Sequence, residues 1–503
     1  MSAKVLSAAV VGLDAQLVDV EADLSLGLPK MFIVGLPDTA VQEAKERVKS
    51  GIRNSGFDFP PGVVTVNLAP ADLRKEGPSY DLPIAVSILA ARGLLADTGS
   101  KLFVGELSLN GSLRPVSGVL PIASLVKERG IRELYVPTLN AREAALVKGV
   151  AVFPVESLSE LVEHFRRVRL IEPLRVRGTY CAAVPDSQYD MSYVRGQEQA
   201  KRALEIAAAG GHNVLFTGPP GSGKTMLART VPTILPPMDF DEAIEVTKIY
   251  SVASMLPRRD TVVRERPFRA PHHTASSVAL VGGGSFPRPG EVTLAHRGVL
   301  FLDELAEFPR QALESLRQPL EDGTVTVSRA AGSIQFPARF TLIAARNPCP
   351  CGFLDDDRRP CTCTPFSISR YQKKISGPLL DRIDMHVSVP RLPSEKVVQR
   401  GNGESSASIR SRVERARKAQ RNRFSGTQII VNAEVRARSI DDLFRVSEQA
   451  YALLKRAVDS LYLSARIYHR TIKIARTIAD LEHAETISAE HVAEALQFRA
   501  QAH

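Results

Sequence analysis

The chain has 503 residues, of which 44% are hydrophobic and 24% charged, with a formal net charge of +10. This length predicts about two to four domains, and the composition is typical of a globular protein. No apolar run approaches the ~18–20 residues that a membrane-spanning helix needs, and the apolar start soon alternates with acidic residues, so we expect a cytoplasmic protein without a signal peptide. The positive charge indicates an anionic partner, although charge alone does not distinguish nucleic acid from an anionic membrane.

The first predicted domain covers residues 1–168, in which strand-like and helical runs alternate. The strand-like runs are Val63 to Leu68, Leu102 to Leu109 and Leu134 to Val136, and the helical runs are Thr39 to Ile52 and Leu82 to Leu95. The apolar and acidic alternation at the N-terminus predicts a pair of strands. Residues 169–190, with Pro173, Gly178 and Pro185, predict a linker.

One segment of this domain carries a serine in a recognisable setting. Glu76-Gly77-Pro78-Ser79-Tyr80-Asp81-Leu82-Pro83 resembles the nucleophile segment of Lon-type proteases, in which a lysine of a later segment activates the serine. The later segment is best matched by Gly111 to Ile122, where Leu120 takes the lysine position. A serine hydroxyl without a base is a weak nucleophile. We therefore predict a Lon-like α+β domain without the protease dyad, with Ser79 in a turn or a helix cap.

The most specific motif of the chain opens the second domain, which we place at residues 191–393. A short apolar run, Val214 to Phe216, precedes a complete Walker A loop, and Met226 to Arg229 continues it as a helix. The loop's glycines let backbone N–H groups close around phosphates, Lys224 reaches the β- and γ-phosphates, and the Thr225 hydroxyl suits Mg²⁺. The residues predicted to bind ATP are Gly218, Pro219, Pro220, Gly221, Ser222, Gly223, Lys224 and Thr225.

Two later strands carry residues for hydrolysis. The apolar run that starts at Gly298 ends in Asp303 and Glu304, which predicts a Walker B element: Asp303 holds Mg²⁺ and Glu304 orients and deprotonates the attacking water. The alternative is an acidic helix cap. A third strand, Phe340 to Ala345, leads to Asn347, which suits a sensor of the γ-phosphate or the water, and Arg382 follows a short helical turn.

These four elements, in this order, resemble the ATP-binding core of AAA+ ring ATPases, in the branch that contains magnesium-chelatase motor subunits and MCM helicases. The resemblance implies that Arg382 is an arginine finger acting on a neighbouring subunit. It also implies that Arg466, in Ser464-Ala465-Arg466, is a sensor-2 residue near the γ-phosphate, with Arg470 as the alternative if the match is shifted by one helical turn.

Two segments of the core are candidates for contact with DNA. Leu320 to Phe336 reads as a β-hairpin whose turn contains Gly332. In MCM-like rings the hairpin at this place projects into the pore and carries a basic residue, and Arg329 matches that position; a surface hairpin with a solvated arginine is the alternative. The second candidate is the cationic, glycine-rich loop from Arg264 to Arg288, which includes Arg269. The loop also has two adjacent histidines, but no carboxylate or cysteine stands at a spacing that would complete a metal site with them.

Four of the five cysteines are clustered as Cys349-x-Cys351 and Cys361-x-Cys363. Because disulfides are not the default in a reducing cytosol, two thiolate pairs predict a structural Zn²⁺ site, although CxC is tighter than the usual CxxC spacing. Free thiols in a polar insertion are the alternative. The stretch between the pairs, Asp355 to Arg359, reads as a solvated loop tip.

The last predicted domain, residues 394–503, is helical in period and reads as a lid on the ATPase core. It opens with a low-complexity loop, Gly401 to Ser406. The helix Ser408 to Phe424 that follows has basic residues around most of its circumference, which favours a solvated face, with phosphate contact as the alternative. The predicted fold class is therefore α/β overall, with a Lon-like α+β domain, a P-loop core and a helical lid.

Six stretches spread along the whole chain match a single family: Val34 to Asp38, Glu76 to Pro83, Arg269 to Thr274, Gly298 to Glu304, Asn347 to Gly352 and Tyr468 to Thr471. On these stretches the chain resembles the competence-associated ComM ATPases of the magnesium-chelatase-like group. The resemblance implies a hexameric ring that uses ATP and Mg²⁺ to move on single-stranded and branched DNA, promoting branch migration during recombination of incoming strands in natural transformation. A recombinase or other recombination proteins would be its partners.

Two other functions compete with this one. A magnesium-chelatase motor would remodel a protein partner, but the Lon-like domain and the cysteine cluster disfavour it. An ATP-dependent protease is disfavoured by Leu120.

Overall fold

A computed structural model describes residues 2–175, 180, 182–183, 188–256, 261–284, 287–329, 332–354, 356, 358–393, 403–461 and 463–499. The chain divides into two compact units, Met1–Tyr180 with Ala243–Val263 and Cys181–Glu242 with Arg264–His503. Both units combine helices with a sheet, which confirms the α/β class. None of the helices in the described ranges has the length and apolar character to cross a membrane.

The first unit alternates strands and helices. Its strands are β1 (Ser2–Val11), β2 (Asp14–Ser25), β3 (Lys30–Val34), β4 (Val63–Ala69), β5 (Leu102–Phe103), β6 (Glu106–Leu107), β7 (Leu113–Arg114), β8 (Glu133–Pro137) and β9 (Ala151–Val155). Its helices are α1 (Thr39–Asn54), α2 (Asp81–Ala91), α3 (Val119–Glu128), α4 (Thr138–Ala144) and α5 (Leu158–Phe165), with a 3₁₀ turn at Pro78–Tyr80. The predicted N-terminal strand pair is the antiparallel β1–β2 hairpin, and Ser79 lies in the 3₁₀ turn.

One predicted strand of this unit was wrong. Leu102 to Leu109 was expected to be continuous, but it is broken into β5 and β6 at Gly105. The N–H of Gly105 donates to the Ser79 carbonyl, and its own carbonyl accepts from the Leu82 N–H. Because these backbone groups are bonded to the turn before α2, they are not available to a sheet neighbour.

The described part of this unit forms a seven-stranded sheet in the order β3-β4-β2-β1-β5-β8-β9. Side chains of β1 alternate between its two faces, as strand geometry requires. Val5 and Ala9 pack into one core with residues of α1, α2 and α5. Ala8 packs into a second core with residues of α3 and α4. The sheet is therefore covered by helices on both faces.

The second unit holds the remaining elements. Its strands are β10 (Val214–Thr217), β11 (Phe268–Arg269), β12 (Gly282–Gly283), β13 (Arg288–Pro289), β14 (Val299–Leu302), β15 (Thr324–Arg329), β16 (Gly332–Pro337), β17 (Thr341–Arg346) and β18 (Met385–Ser388). The helices before the cysteines are α6 (Glu198–Gly210), α7 (Lys224–Ile234), α8 (Phe240–Val252), α9 (Ser277–Val281), α10 (Glu291–Leu294), α11 (Arg310–Glu314) and α12 (Arg317–Asp322). Of these, α8 belongs to the first unit from Ala243 onward. The later helices are α13 (Pro365–Gln372), α14 (Gly377–Leu380), α15 (Ser406–Arg423), α16 (Ile440–Leu443), α17 (Glu448–Leu461), α18 (Ala465–Leu481) and α19 (Ala489–Gln497). Four 3₁₀ turns lie at Met191–Tyr193, Leu305–Glu307, Asn432–Glu434 and Ala437–Ser439 within the described ranges.

The central sheet of this unit is parallel, with the order β11-β14-β17-β10-β18 in the described residues. Its strands are apolar because helices bury them; Val214, Phe216 and Ile343 share one core with residues of α6, α7, α15 and α18. Since parallel strands all end at the same edge, the loops that follow β10, β14 and β17 meet there.

The two compact units agree with the predicted linker but differ from the predicted domains at residues 243–263 and at the lid. Residues 243–263, placed in the ATPase core by sequence, cluster with the first unit, where the buried Glu143 carboxylate accepts a hydrogen bond from the Ser251 hydroxyl. The unit boundary falls between Tyr180 and Cys181, inside the predicted linker, parts of which (176–179, 181 and 184–187) lie outside the described residues. The helices of the predicted lid share one compact unit with the core, because their apolar faces complete its hydrophobic cluster.

The basic helix of the C-terminal region begins earlier and is less solvated than expected. It is α15, which starts at Ser406 with Ser405 as its N-cap, and of the preceding loop Gly401 and Asn402 lie outside the described residues. Arg412 pairs with Glu404 and Glu205. The side chain of Arg417 donates to the Ala208 carbonyl, at 2.8 and 3.1 Å. These contacts hold α15 against α6, so the two arginines are structural.

Candidate nucleotide site, arginine pair and cysteine cluster

The Walker A loop lies between β10 and α7, at the carboxyl edge of the parallel sheet. Gly221 and Gly223 have φ values of 76° and 93°, which L-residues with side chains rarely adopt. At Gly218 a Cβ would meet the Val389 carbonyl oxygen at 2.1 Å, so this position has room only for glycine. The loop therefore has the glycine-dependent conformation on which the phosphate-binding prediction depends.

Lys224 is the first residue of α7 and is only 8% exposed. Its Nζ donates to the carbonyl oxygens of Gly218 at 2.7 Å and Pro219 at 2.8 Å, and it lies 3.4 Å from Asn347 Oδ1. Burial lowers the pKa of Lys224 to about 8, against the opposing attraction of Asp303 and Glu304. The ammonium group thus donates to neutral carbonyl oxygens, and hydrogen bonds to the anionic oxygens of a ligand would stabilise its charge more strongly.

Thr225 and Asp303 are brought together from two elements. The Thr225 hydroxyl donates to Asp303 Oδ2 at 2.7 Å, and Asp303 follows the last residue of β14. Glu304 is the next residue and has a φ of 50°; its N–H donates to Asp303 Oδ1 at 2.9 Å. The Glu304 side chain is 54% exposed, so its carboxylate is accessible to solvent water.

Three residues that the sequence analysis did not assign to the nucleotide site lie against it. Gln197, with a φ of 58°, donates through Nε2 to the Pro390 carbonyl at 2.7 Å and the Ser222 carbonyl at 3.3 Å. His273 Nδ1 lies 3.4 Å from Glu304 Oε2. Arg391 Nη2 lies 3.5 Å from the Pro220 carbonyl. The pair of adjacent histidines in the sequence could have drawn attention to His273. Gln197 and Arg391 belong to no sequence motif, so only the tertiary structure shows that they lie at this site.

The predicted arginines Arg382 and Arg466 lie at the other edge of the sheet. Arg382 precedes β18, and its carbonyl accepts from the side chain of Asn213, the residue before β10. The four residues of β10 span about 13 Å between this amino edge and the Walker A loop. Both arginines contact Glu321, Arg466 at 3.6 Å. Arg470, the alternative for sensor 2, pairs instead with Asp384 at 3.2 Å.

A cavity of 1310 Å³ opens at this amino edge. Its lining includes more basic than acidic side chains. The basic ones are Arg266, Arg297, Arg339, Arg382, Arg417, Arg436, Arg438, Arg466, Arg470 and Lys473, and the acidic ones are Glu242, Glu321, Asp322, Asp384 and Glu434. The surface that carries both arginines is therefore concave and cationic.

The three arginines predicted to contact DNA differ in their surroundings. Arg329 ends β15, opposite Gly332 in the hairpin, and its side chain lies outside the described part of the structure, as do Ala330 and Ala331. Arg269 forms a two-point ion pair with Glu291, at 2.7 and 2.8 Å, which compensates its charge. Arg288 lies exposed on β13. The hairpin is shorter than predicted, because Leu320 to Asp322 belong to α12.

The four clustered cysteines converge in space. Their sulfur atoms all lie within 4.8 Å of one another, and the Cys349–Cys351, Cys351–Cys361 and Cys349–Cys361 distances are 3.4, 3.6 and 3.7 Å. A tetrahedral zinc site with Zn–S bonds of about 2.3 Å needs sulfur–sulfur separations of about 3.8 Å, and a disulfide needs about 2.05 Å. Hydrogen bonding from the Phe353 N–H lowers the pKa of Cys351 to about 6, whereas the pKa values of Cys361 and Cys363 are raised, so of these three thiols Cys351 ionises most readily. The donor set fits a tetrahedral thiophilic metal.

The cysteine cluster packs directly on the Walker A loop. At Gly352, where φ is +83°, a Cβ would meet Pro220 Cδ at 2.7 Å. Asn347, which contacts Lys224, is two residues before Cys349. Of the predicted loop tip, Asp355 and Asp357 lie outside the described residues.

In the first unit, Leu120 is the residue that the sequence analysis aligned with the lysine of Lon-type proteases. The Leu120 side chain is fully buried in the described structure, and its N–H donates to Glu143 Oε1 at 2.9 Å. Burial raises the pKa of Glu143, although hydrogen bonds from Ser251 and Leu120 oppose this shift. Leu120 contributes to helix and core packing at this position.

Three family models match the chain, and together they cover most of it. Residues 190–397 match the model described as magnesium chelatase, subunit ChlI; residues 20–140 match subunit ChlI of Mg-chelatase; and residues 403–499 match the C-terminal part of that subunit. This family belongs to the AAA+ class, which points to ATP and Mg²⁺ as ligands and to ATPase activity.

Curated relatives match over nearly the whole length. Competence protein ComM of Haemophilus influenzae is 45% identical over 503 residues, covering 99% of this chain and 97% of the relative. The uncharacterized protein YifB of Salmonella typhimurium is 44% identical, covering 98% and 96%. The magnesium-chelatase 67 kDa subunit of Heliobacterium mobile is 29% identical and covers 39% of this chain and 30% of its own. The chain therefore belongs to the ComM family of magnesium-chelatase-like AAA+ proteins.

Proposed function

We propose that this chain is an ATP-driven DNA translocase that assembles as a hexameric ring in the cytoplasm and promotes branch migration during recombination of incoming DNA in natural transformation. The observation that carries the proposal is the similarity to a competence protein over the full length of the chain. The placement of the predicted hydrolytic residues and of the two arginines at opposite edges of one sheet supports it.

The hydrolytic half of the site would consist of Lys224, Thr225, Asp303, Glu304 and Asn347. Bound Mg²⁺-ATP would supply the γ-phosphoryl group together with the metal charge that stabilises its transfer. Lys224 would exchange its bonds to the loop carbonyls for bonds to phosphate oxygens. Thr225 and Asp303, already in hydrogen-bond contact, would provide the oxygen ligands for the metal. The exposed Glu304 carboxylate would take the proton of the attacking water.

Arg382 and Arg466 would complete the site of a neighbouring subunit. With about 13 Å of strand between them and their own Walker A loop, they are poorly placed to act on the nucleotide of the same chain. A head-to-tail ring would bring the amino edge of one sheet to the carboxyl edge of the next, and a heterologous interface forms such a ring when the rotation between subunits closes. This geometry supports a ring rather than a two-fold dimer.

The β15–β16 hairpin would be the element that grips DNA. The strand β16 runs into β17, whose end carries Asn347, so the hairpin is linked by a short segment to the hydrolytic site. Arg329 and Arg288 would bind backbone phosphates, since such contacts do not require a base sequence. The ion pair with Glu291 makes Arg269 a weaker candidate for this role than sequence alone indicated.

Cys349, Cys351, Cys361 and Cys363 would hold one structural Zn²⁺. The separations of their sulfur atoms fit tetrahedral coordination. The metal would fix the loop that packs on Pro220 and so stabilise the Walker A conformation.

The competing function is a magnesium-chelatase motor that remodels a protein partner. The magnesium-chelatase subunits of Heliobacterium mobile and Rhodobacter capsulatus match only 39% and 36% of this chain, whereas the competence protein matches 99%. Expression of this chain with magnesium-chelatase partner subunits would test the alternative directly.

The deciding experiment is ATP-dependent migration of a synthetic four-way DNA junction. The wild-type chain should convert the junction to two duplexes, and its ATPase rate should rise with DNA. Glu304→Gln provides the control, because it keeps the nucleotide-binding residues and lacks the water-activating carboxylate. A purified chain that hydrolyses ATP without any DNA stimulation and leaves junctions intact would contradict the proposal.

A further inference from the structure

Glu321 is the acid that Arg382 and Arg466 share in the described structure. Its carboxylate contacts Arg382 Nη2, and Arg466 Nη2 lies 3.6 Å from its Oε1. The Glu321 side chain is 51% exposed, whereas that of Arg382 is 13% exposed. The half-exposed carboxylate therefore contacts two guanidinium groups that, by the resemblance to AAA+ proteins, are expected to bind a phosphate.

Glu321 also lies close in the chain to the β15–β16 hairpin. Glu321 lies in α12, and only Asp322 and Gly323 separate it from β15, the first strand of the hairpin. The Gly323 N–H donates to the Pro319 carbonyl at 3.0 Å, and its carbonyl accepts from the Ala338 N–H at 2.8 Å. These bonds tie the end of α12 to both ends of the hairpin, so a displacement of Glu321 is transmitted to it.

The joint between α12 and β15 requires a glycine at position 323. Its φ is +66°, and a Cβ built there would meet Arg339 Cγ at 3.0 Å. The neighbouring acid Asp384 is engaged elsewhere, with Arg470 and the Asn213 N–H. Among the described residues, Glu321 is the acid that forms ion pairs with Arg382 and Arg466, so its removal would leave those pairs unmade.

We propose that Glu321 holds Arg382 and Arg466 as an internal substitute for the γ-phosphate of a neighbouring subunit, and that the arrival of that phosphate releases Glu321 and shifts the hairpin. The proposal rests on the proposed function for the roles of the arginines and of the hairpin. A carboxylate and a phosphate compete for the same guanidinium donors, and the phosphate carries more charge and more acceptor oxygens. The exposed carboxylate is stabilised by water once it is released. Glu321 is a positioning residue that couples the nucleotide state of the interface to the DNA-gripping element.

The test compares Glu321→Gln with Glu314→Gln. Glu314 lies one helix earlier and pairs with Arg317 at 2.9 Å, so its substitution removes the same charge without touching Arg382 or Arg466. The readouts are the ATPase rate without DNA and the hydrogen–deuterium exchange of residues 324–337, with and without a non-hydrolysable ATP analogue. Glu321→Ala serves as a second variant that also removes the hydrogen-bonding capacity, and thermal unfolding checks that each variant is folded.

If Glu321 occupies the arginines for most of the time, its neutralisation should raise the DNA-independent rate by up to about tenfold. The exchange response of the hairpin to the analogue should be present in wild type and Glu314→Gln and absent in both Glu321 variants. Folded Glu321 variants with the wild-type basal rate and the wild-type hairpin response would overturn the inference. A hairpin response that depends on Glu321 in a protein that ignores DNA would support the coupling and reject only the DNA-translocase function.

Discussion

The hydroxyl of Thr225 donates a 2.7 Å hydrogen bond to the carboxylate of Asp303, 78 residues later in the chain. Thr225 is the second residue of α7, the helix after the Walker A loop, and Asp303 directly follows β14, so the contact joins the two halves of the predicted magnesium site. The pair adjoins Glu304, whose carboxylate is accessible to solvent. We therefore expect nucleotide binding and hydrolysis to depend on different side chains of the site.

Lys224→Ala should abolish nucleotide binding, whereas Glu304→Gln should bind ATP and lose turnover. The lysine contributes its charge to the phosphates, while the glutamate contributes proton transfer, a function worth about 10²–10⁴ in rate. Equilibrium binding of a fluorescent ATP analogue and steady-state hydrolysis, measured on both variants, separate the two effects. A Glu304→Gln chain that turns over ATP near the wild-type rate would show that another group activates the water.

ATP binding should take up a proton at alkaline pH. Burial lowers the pKa of Lys224 from its ordinary 10.5 to about 8, so above pH 8 the folded free protein holds this side chain largely neutral. Bound phosphates favour the ammonium form and raise the pKa again, so the affinity should fall by up to about tenfold per pH unit as the pH rises above 8. The lowered pKa also affects stability. Below pH 8 the buried lysine is charged and destabilises the folded chain, and this destabilisation is relieved as the pH rises from about 8 towards 10.5.

Calorimetry at pH 9 in buffers of different ionisation enthalpy measures this proton uptake. Lys224→Arg is the matched control, because a guanidinium group stays charged and takes up no proton. Equal heats in all buffers for the wild type would mean that Lys224 remains charged in the free protein.

Arg382→Ala should lose ATPase activity and recover part of it when mixed with Lys224→Ala. Each variant alone lacks one half of every interface, whereas a mixed ring contains interfaces with an intact Walker A loop and an intact arginine. An arginine finger is worth about 10³–10⁵ in rate in other NTPases. The measurement is the ATPase rate against mixing ratio, with wild-type subunits in place of one variant as the control for subunit exchange. If exchange occurs and the two variants together remain inactive, Arg382 does not act between subunits.

Protein purified without added metal should contain about one zinc per chain, and zinc should strengthen nucleotide binding. The reason for the second effect is the contact between Gly352 and Pro220, which joins the cysteine cluster to the Walker A loop. Elemental analysis measures the zinc, and titration of ATP before and after chelation measures the coupling.

Gly352→Ala tests the contact itself. This variant keeps all four cysteines and should keep its zinc, but the added Cβ would clash with Pro220 at a φ of +83°, so ATP affinity should fall several-fold, or about 1 kcal/mol. Four freely titrating thiols in a native, metal-free and fully active protein would remove zinc from this account.

Arg329→Ala should keep its basal ATPase rate and lose most DNA stimulation and branch migration. The residue ends a hairpin strand and lies outside the hydrolytic cluster, so its loss removes a contact with phosphate and leaves the chemistry unchanged. The defect should not depend on base sequence, and the salt dependence of DNA binding should become shallower by about one unit of slope. Arg288→Ala is the comparison variant. If Arg329→Ala migrates junctions at the wild-type rate, the main contact with DNA phosphates lies in the β12–β13 region and not in the hairpin.

The sequence alone determined the fold class, and it predicted a set of hydrolytic residues of which the structure brings Thr225 and Asp303 into contact. The Walker A spacing, the acidic end of an apolar strand and Asn347 are local signals, because each depends on a few consecutive residues whose backbone and side-chain chemistry suit one task. Parallel strands then bring these ends to one edge of the sheet without further information. The cysteine spacing likewise predicted a cluster that the structure brings within 4.8 Å.

Only the tertiary structure decided which charges are free and which are already compensated. Arg269 and Arg417 belong to basic segments in the sequence, yet one is paired with Glu291 and the other is bonded to the Ala208 carbonyl. The opposite placement of Arg382, its contact with Glu321, and the packing of 243–263 with the first unit also depend on residues far apart in the chain. The pairing of a charge and the edge of a sheet on which it lies are set by long-range packing, and no local pattern of residues encodes them.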